Sequence, residues 1–434
     1  MKYRSVSDLI LFAVGISTVV FSLSAFGQML EGMGKHGDWR ADAPGVRHRI
    51  TVKDLPAPFA TKSVSHPSKI VRPPLGAKPE VPRGFAITKW ADDFKSPRYL
   101  LAAPNGDIFV VESYSGEILV LRDADGDGTP EMRSTYVRGL KRPFGLALFP
   151  PGDHPRYLYV GETDSVIRFP YKMGDRKASG KPEKVTDLSS GGRLKGGGHW
   201  TRDVTFSNDG EWLFASVGSK TNVDERDEPV EQERARIFIM KPDGSEKRVY
   251  ASGIRNPVGI AVHPQTGELW ASVNERDGLG NDLVPDYITS VKDGGFYGWP
   301  WYYMGGHLDP RHKENPHREM AGKTIVPDVL VQPHSAPLTM VFYTGKMFPD
   351  KYRNDAFAAF HGSWNREPRT GYKVVRVPLE NGRAKGYYED FVTGFVLENG
   401  DVWGRPVGLT VAKDGALLMS EDGNNTIWRI SSLR

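Results

Sequence analysis

The chain has no cysteine among its 434 residues. That absence excludes disulfides, thiolate metal sites, a cysteine nucleophile and a lipid anchor on cysteine. Charge of one sign is also missing. Lys+Arg is 57 and Asp+Glu is 53, and a net of +4 is too small and scattered for a nucleic-acid surface. Long apolar runs are missing with one exception. After the basic start Met1-Lys2-Tyr3-Arg4, residues 9–26 are almost wholly apolar or small and end near Ala25 and Gly27. This pattern predicts a secretory signal over residues 1–27, or an uncleaved anchor, since such a run can just span a bilayer. Either way the bulk of the chain is expected outside the cytoplasm, periplasmic, secreted or membrane-anchored facing the periplasm. No stretch stands out as a helix, and no Gly-x-Ser-x-Gly nucleophile motif occurs.

What is abundant is glycine and proline, 48 and 32 residues, which favours a turn-rich β protein. Residues 28–83 are Pro-rich and polar and read as an extended arm lying on the folded part. From residue 84 onward a repeat takes over. A strand, an Asn-Gly or Asp-Gly type of turn and a second strand recur six times, near residues 100–112, 145–160, 203–215, 259–271, 340–360 and 408–420. Most copies continue into a third strand ending near a basic residue. Uneven spacing between copies argues against a solenoid and for long loops on one face. The expected fold is all-β: a six-bladed β-propeller of four-stranded antiparallel blades over residues 84–434.

In a propeller, residues just before each innermost strand gather at one rim near the axis. Here they are Lys141-Arg142-Pro143-Phe144, His199-Trp200-Thr201-Arg202, Arg255-Asn256-Pro257, His334-Ser335-Ala336-Pro337 and Trp403-Gly404-Arg405-Pro406. Four of the five carry arginine. A cationic ring on one axis would concentrate an anionic small ligand, and guanidinium forks suit carboxylate or phosphate. Trp200, Trp403 and Phe144 could cover a flat ring. For any single arginine the competing reading is a rim charge paired with a local Asp.

These residues resemble the family of sorbosone dehydrogenases and soluble aldose (glucose) dehydrogenases, six-bladed propellers that bind pyrroloquinoline quinone (PQQ) and calcium. The resemblance covers residues 50–434. It rests on Ala103-Pro104-Asn105-Gly106-Asp107, Gly198-His199, Arg255-Asn256-Pro257, Asn274-Glu275-Arg276-Asp277, Gly294-Gly295-Phe296-Tyr297-Gly298-Trp299-Pro300 and Phe342-Tyr343-Thr344-Gly345. It implies a quinoprotein oxidoreductase acting on a sugar or a sugar-derived aldehyde, with hydride passing to the quinone and electrons leaving to a cytochrome or quinone acceptor. It implies His199 as general base, Arg255 at the quinone oxygen, and Asn256 and Arg405 at the cofactor. Arg202, Trp403, Arg366 and His361 complete the expected cofactor set. It also implies a calcium held mainly by backbone carbonyls of Glu275, Arg276 and Asp277. The flanking Gly196-Gly197-Gly198 and the rim position favour function over a structural role for His199. Three departures stand out. Ser219 occupies the place of the family's histidine-orienting Asp, so His199 would turn to Asp203 or another partner. The family's glutamine is missing at residues 142–144. Its lysine falls within residues 361–366, where Arg366 or His361 could substitute.

A separate signal is the run Asp123-Ala124-Asp125-Gly126-Asp127-Gly128-Thr129-Pro130-Glu131. Carboxylates at every second position can wrap one Ca²⁺, because without a cation they repel one another. Residues 222–233 and 307–312 read as surface loops, the former a solvated acidic face or a lid. Two rival functions remain open. A calcium-dependent lactonase or esterase would need carboxylates and Asn at the channel mouth rather than an arginine ring. A catalytically silent ligand-binding propeller is compatible with Ser219 and the missing glutamine.

Overall fold

The computed structural model describes residues 29–30, 37–190 and 198–433. The expected signal over residues 1–27 and the glycines 196 and 197 lie outside the described residues. Six antiparallel sheets stand around an axis, as expected. Their innermost strands are Pro97–Ala102, Leu146–Phe149, Val204–Phe206, Pro257–Val262, Pro337–Phe342 and Pro406–Val411, and neighbouring inner strands touch in a closed ring. The sixth blade takes its outermost strand from the start of the domain. Phe85–Ala91 pairs antiparallel with Thr426–Ser432, from Phe85 opposite Ser432 to Ala91 opposite Ile427. The two ends of the repeat region are thereby hydrogen-bonded together. The described helical segments are all short 3₁₀ turns.

The second strands Ile108–Glu112, Leu213–Val217, Leu269–Val273, Ala356–Phe360 and Leu417–Glu421 are buried at every position. They are nearly continuous apolar runs because both faces of each sheet are covered. Alternation decides which neighbour each residue meets. Phe109 and Val111 pack toward the second blade, whereas Ile108 and Val110 pack toward the sixth. Six apolar clusters result, one between each pair of adjacent blades. At the axis the inner strands approach so closely that a Cβ at Gly259 would strike the Leu338 carbonyl, and one at Gly408 would lie 3.2 Å from the Leu100 nitrogen. The repeat therefore carries glycine at those places.

The arm is tied to the fifth blade. Met29–Leu30 runs parallel to Arg47–His48, which pairs antiparallel with Tyr388–Val392. Beneath this pairing lies a buried charge cluster. Lys373 Nζ is 2.7 Å from Asp42 and 2.8 Å from Asp390, and His48 Nε2 is 3.0 Å from Asp390. The His48 ring stacks on Tyr388 at 4.7 Å. Further along, Thr61 and Ser63 accept the backbone N–H groups of Asn281 and Gly280, at 2.7 and 3.1 Å. Replacing Lys373 by Met leaves two carboxylates buried without their cation. The expected loss is about 3 kcal/mol, the cost of breaking a buried ion pair. A lower urea midpoint, with protease cuts appearing in residues 37–83, is the measurement; an unchanged midpoint contradicts it.

Candidate active site

Loops entering the inner strands and loops joining second to third strands meet at one rim. Below them Phe144, Val258, Leu338 and Val407 form a buried axial cluster, with Tyr99 and Trp200 packed against it. Val258, Leu338 and Val407 each follow a rim residue, Asn256, Ala336 and Arg405, by two positions. The charged mouth thus has an apolar floor. Phe144 belongs to that floor, edge-on to Trp200 at 6.0 Å, and is fully buried rather than a cover for a ligand.

His199 is half-buried at this mouth. Its Nδ1 lies 2.8 Å from the Ser219 carbonyl oxygen and 3.1 Å from Ser219 Oγ. A carbonyl only accepts, so Nδ1 carries the hydrogen and Nε2 keeps its lone pair. Ser219 Oγ donates to the Thr221 carbonyl at 2.7 Å, which leaves an oxygen lone pair for Nδ1–H. The orienting partner is therefore this serine and not Asp203. Asp203 sits deeper, accepting the N–H groups of Val204 and Ile260, both at 2.9 Å, and burial raises it to about 7. Burial and the nearby Arg255 push His199 down to about 3, so its ring is neutral.

Two buried arginines brace the His199 backbone. Arg234 donates to the carbonyls of Gly218 at 2.7 Å, His199 at 2.5 Å and Ser219 at 3.2 Å. Arg202 donates to the carbonyls of His199 at 3.0 Å, Thr201 at 2.7 Å and Ser189 at 2.7 Å. Arg202 was expected at the cofactor. Its fully buried guanidinium, lowered to about 9 by burial and by Arg234, is instead a support for the histidine loop.

Arg255 is also buried and richly bonded. Nε donates to the Asn222 carbonyl at 3.0 Å, Nη2 to Asn222 Oδ1 at 2.9 Å, and Nη1 to the carbonyls of Glu275 at 2.6 Å and Asn274 at 3.3 Å. Nη2 stands 3.9 Å from Asp277. Burial lowers the Arg255 guanidinium, and Asp277 and Glu275 oppose that shift. Beside it Asn256 has a buried Oδ1 with no partner among the described residues. That oxygen faces Gly218, where an added Cβ would press on both Asn256 and His199. Asp277 accepts from Asn365 Nδ2 at 2.5 Å and lies 3.5 Å from His334 Nδ1. Burial pulls the Asp277 carboxyl upward, but His334 and Arg255 outweigh it and hold it below the usual range.

A second pole lies on the blades opposite. Asp422 receives Arg98 Nη1 at 2.5 Å and His361 Nε2 at 2.9 Å, and Arg405 Nε lies 2.9 Å away. Burial acts against the charge on Asp422, yet His361 and Arg98 keep it well below the usual carboxylate range. The guanidiniums of Arg98 and Arg142 lie over Trp200 at 5.7 and 5.0 Å. His361 and Arg405 are thus both at the mouth, with a carboxylate between them.

Three other expectations fail on packing. Trp403 is buried against Phe395 and Trp428, with its Nε1 donating to Gly394, so it offers no face to a ligand. Arg366 is buried against the Asn281 carbonyl, Asp282 and the arm carbonyl of Gly37. In the loop Glu275, Arg276 and Asp277, two of the three carbonyls that were to hold calcium already accept N–H donors. Glu275 O receives Arg255, and Asp277 O receives Asn222 Nδ2 at 2.9 Å and Arg311 at 2.8 Å. The Arg276 side chain is fully buried between Glu275, Asp309 and the carbonyls of Pro300 and Tyr302. Donors stand where a cation would. Residues 307–312 are likewise no simple surface loop, since Asp309 and His312 are buried. The acidic stretch 222–233 supplies Asn222, the hub of the site, and Glu231, buried on the N–H groups of Lys220 and Thr221. By contrast Asp123, Asp125, Asp127 and Glu131 converge, one oxygen from each within 4.8 Å of the others. This loop follows Arg122, at the strand ends away from the mouth.

Sequence comparison adds the family. The TrAA12-like profile matches residues 79–288 and 309–433, most of the chain. The chain belongs to the TrAA12-like family. It is 24% identical over 413 residues to a pyrroloquinoline quinone-dependent pyranose dehydrogenase of Coprinopsis cinerea, covering 81% of this chain but about half (54%) of that protein. Among solved structures, the holo PQQ domain of the Coprinopsis cinerea pyranose dehydrogenase superposes with TM-score 0.66 at 22% identity, covering 83% of this chain and 98% of that one. The calcium structure of the Trichoderma reesei family AA12 enzyme gives 0.69 at 19%, covering 86% and 99%. The motif from Gly294 to Pro300 falls between the two stretches that match the TrAA12-like profile. Here Gly295–Phe296 adds a parallel strand outside the third blade, and Trp299 Nε1 donates to the Asn222 carbonyl at 2.9 Å.

Sequence reading missed Arg234 and Asp422, took Asn222 for part of a solvated acidic face or lid, and named Asp277 only in a calcium loop and His334 only as a rim residue. All but His334, which precedes a fifth-blade inner strand, lie just after second strands or in the loops that follow them, a second rim series that could have been read as the first was. One consequence is a pH dependence of folding. A histidine held near 3 when folded takes up its proton on unfolding as pH falls below 6.5, so its contribution to stability is present above that pH and lost toward acid. His199→Gln should therefore flatten the decline of the urea midpoint between about pH 6.5 and 4. An equal decline in both proteins contradicts the burial of the neutral ring.

Proposed function

We propose that the chain is a PQQ-dependent sugar dehydrogenase acting outside the cytoplasm, with His199 as the base. The observation that carries the reading is a neutral imidazole, oriented through Nδ1 and with no partner for Nε2 among the described residues, at an arginine-lined mouth above an apolar floor. The names of the relatives and the family assignment support it. Bound PQQ would supply an electrophilic ortho-quinone that takes up hydride from the sugar carbon.

The mouth suits a flat tricarboxylate. Arg405 and Arg98 at one pole and Arg255 at the other offer cationic partners, and Asn256 Oδ1 is a buried acceptor still lacking a donor. Gly218 keeps the space beside Asn256 and His199 open. His199 Nε2 would receive the hydroxyl proton, and the Arg202 and Arg234 braces hold the ring's backbone while it does so. Its low proton affinity rises when negative charge enters beside Arg255, which moves the base toward a useful range. Electrons would leave to a cytochrome or quinone. Calcium belongs in this reading at the Asp123 loop, where four carboxylates lie together, and not at the Glu275 loop.

The lactonase reading needs a free set of carboxylates at the mouth. Among the described residues the two acid or His clusters close enough to hold a metal lie elsewhere, at the Asp123 loop and at Asp42, His48 and Asp390.

Titration of the purified protein with PQQ and Ca²⁺, followed by dye reduction against aldoses, pyranoses and sorbosone, tests the proposal. His199→Ala should keep PQQ binding and lose about 10²–10⁴-fold in turnover, as expected for removal of a general base. No saturable PQQ binding would refute the cofactor. Separately, Ca²⁺ should raise the melting temperature of the wild type but not of Asp125→Ala; the same rise in both would place the ion elsewhere.

A further inference from the structure

A groove of about 1020 Å³ lies at the opposite end of the fifth blade from the mouth. The direction of the strands places it there. Lys373 is at the mouth end of its strand, opposite Phe360, and Val377 at the far end, opposite Ala356. Lys351, Pro378 and Lys385 sit on the far-end connections. The arm closes the other wall with Arg47 and Arg83. The groove is therefore separate from the catalytic mouth and is made jointly by the arm and the blade.

Its lining holds Arg47, Arg83, Lys351, Arg376 and Lys385 against one carboxylate, Glu389. Glu389 is already shared by Arg47 at 3.0 Å and Arg376 at 3.5 Å. Asp355 takes Arg376 at 2.6 Å and Glu380 takes Lys385 at 3.2 Å, and neither carboxylate lines the groove. Arg83 and Lys351 have no carboxylate partner among the described residues. Two positive charges are left unanswered in a concave site. The forks are also held in place, Arg376 over Tyr352 at 4.2 Å and Arg47 over Tyr387 at 5.4 Å. Guanidiniums fixed by stacking lose little freedom on meeting an anion, and a concave wall concentrates their field.

We infer that this groove is a second ligand site, taking a molecule with two or more anionic oxygen groups in series. Phosphates or carboxylates could supply that chemistry, and the probes separate them. Isothermal titration in metal-free buffer at low salt uses inorganic tripolyphosphate in one arm and a galacturonate oligomer in the other. At least one should bind with a submillimolar Kd that weakens as salt rises. The double variant Arg83→Ser/Lys351→Ser, both exposed, should weaken that binding at least tenfold with an unchanged melting temperature. PQQ binding should be unaffected, which separates this site from the mouth. Absence of binding by both probes, or equal binding by the variant, overturns the inference.

Discussion

Everything at the mouth depends on closure of the ring. Six inner strands are forced together at the axis because each sheet is covered on both faces by its neighbours. No blade can tilt without opening two apolar clusters at once. The pairing of Phe85–Ala91 with Thr426–Ser432 makes this constraint circular. Rim residues then inherit their positions from strands that cannot move independently. That rigidity is what lets side chains from the third, fourth, fifth and sixth blades be held near one another without a disulfide to fix them.

Within that frame the charges at the mouth are organised as two poles rather than a ring. Near His199, guanidiniums are directed at carbonyls: Arg202, Arg234 and Arg255 together hold the backbone at residues 189, 199, 218, 219, 222 and 275. Near Asp422, guanidiniums meet a carboxylate. The first pole is net positive and depresses the histidine, while the second is partly neutralised. An anionic ligand spanning the mouth would find uneven partners at its two ends, which favours one orientation.

Much of the fold was legible because it is written in a repeat. The six copies, their turns and their third strands all appear where the spacing puts them, and inner-strand glycines mark the crowded axis. The closing strand was not legible, since Phe85–Ala91 belongs to the last blade and has no copy of its own. Placement at the rim was legible where residue type and position agree, as at His199, Arg255, Asn256 and Arg405. It was misread at Trp403, Arg366 and Arg202, whose chemistry suits a ligand but whose side chains turn into packing or toward carbonyls. Composition cannot distinguish an arginine facing a cavity from one propping a loop, because both need the same donor geometry.

Ser219 shows where sequence and physics join most closely. An aspartate behind a histidine holds it by charge and raises its proton affinity. A serine hydroxyl and a carbonyl hold it without a charge; the Nδ1 bond to the Ser219 carbonyl favours the protonated ring, but burial and Arg255 outweigh it. The imidazole then stays neutral well into acid, and its basicity is set by whatever charge enters the mouth. A ligand bearing carboxylates would do more than fill the space. It would supply the negative potential that the missing aspartate does not, so that occupation of the mouth would itself raise the proton affinity of His199.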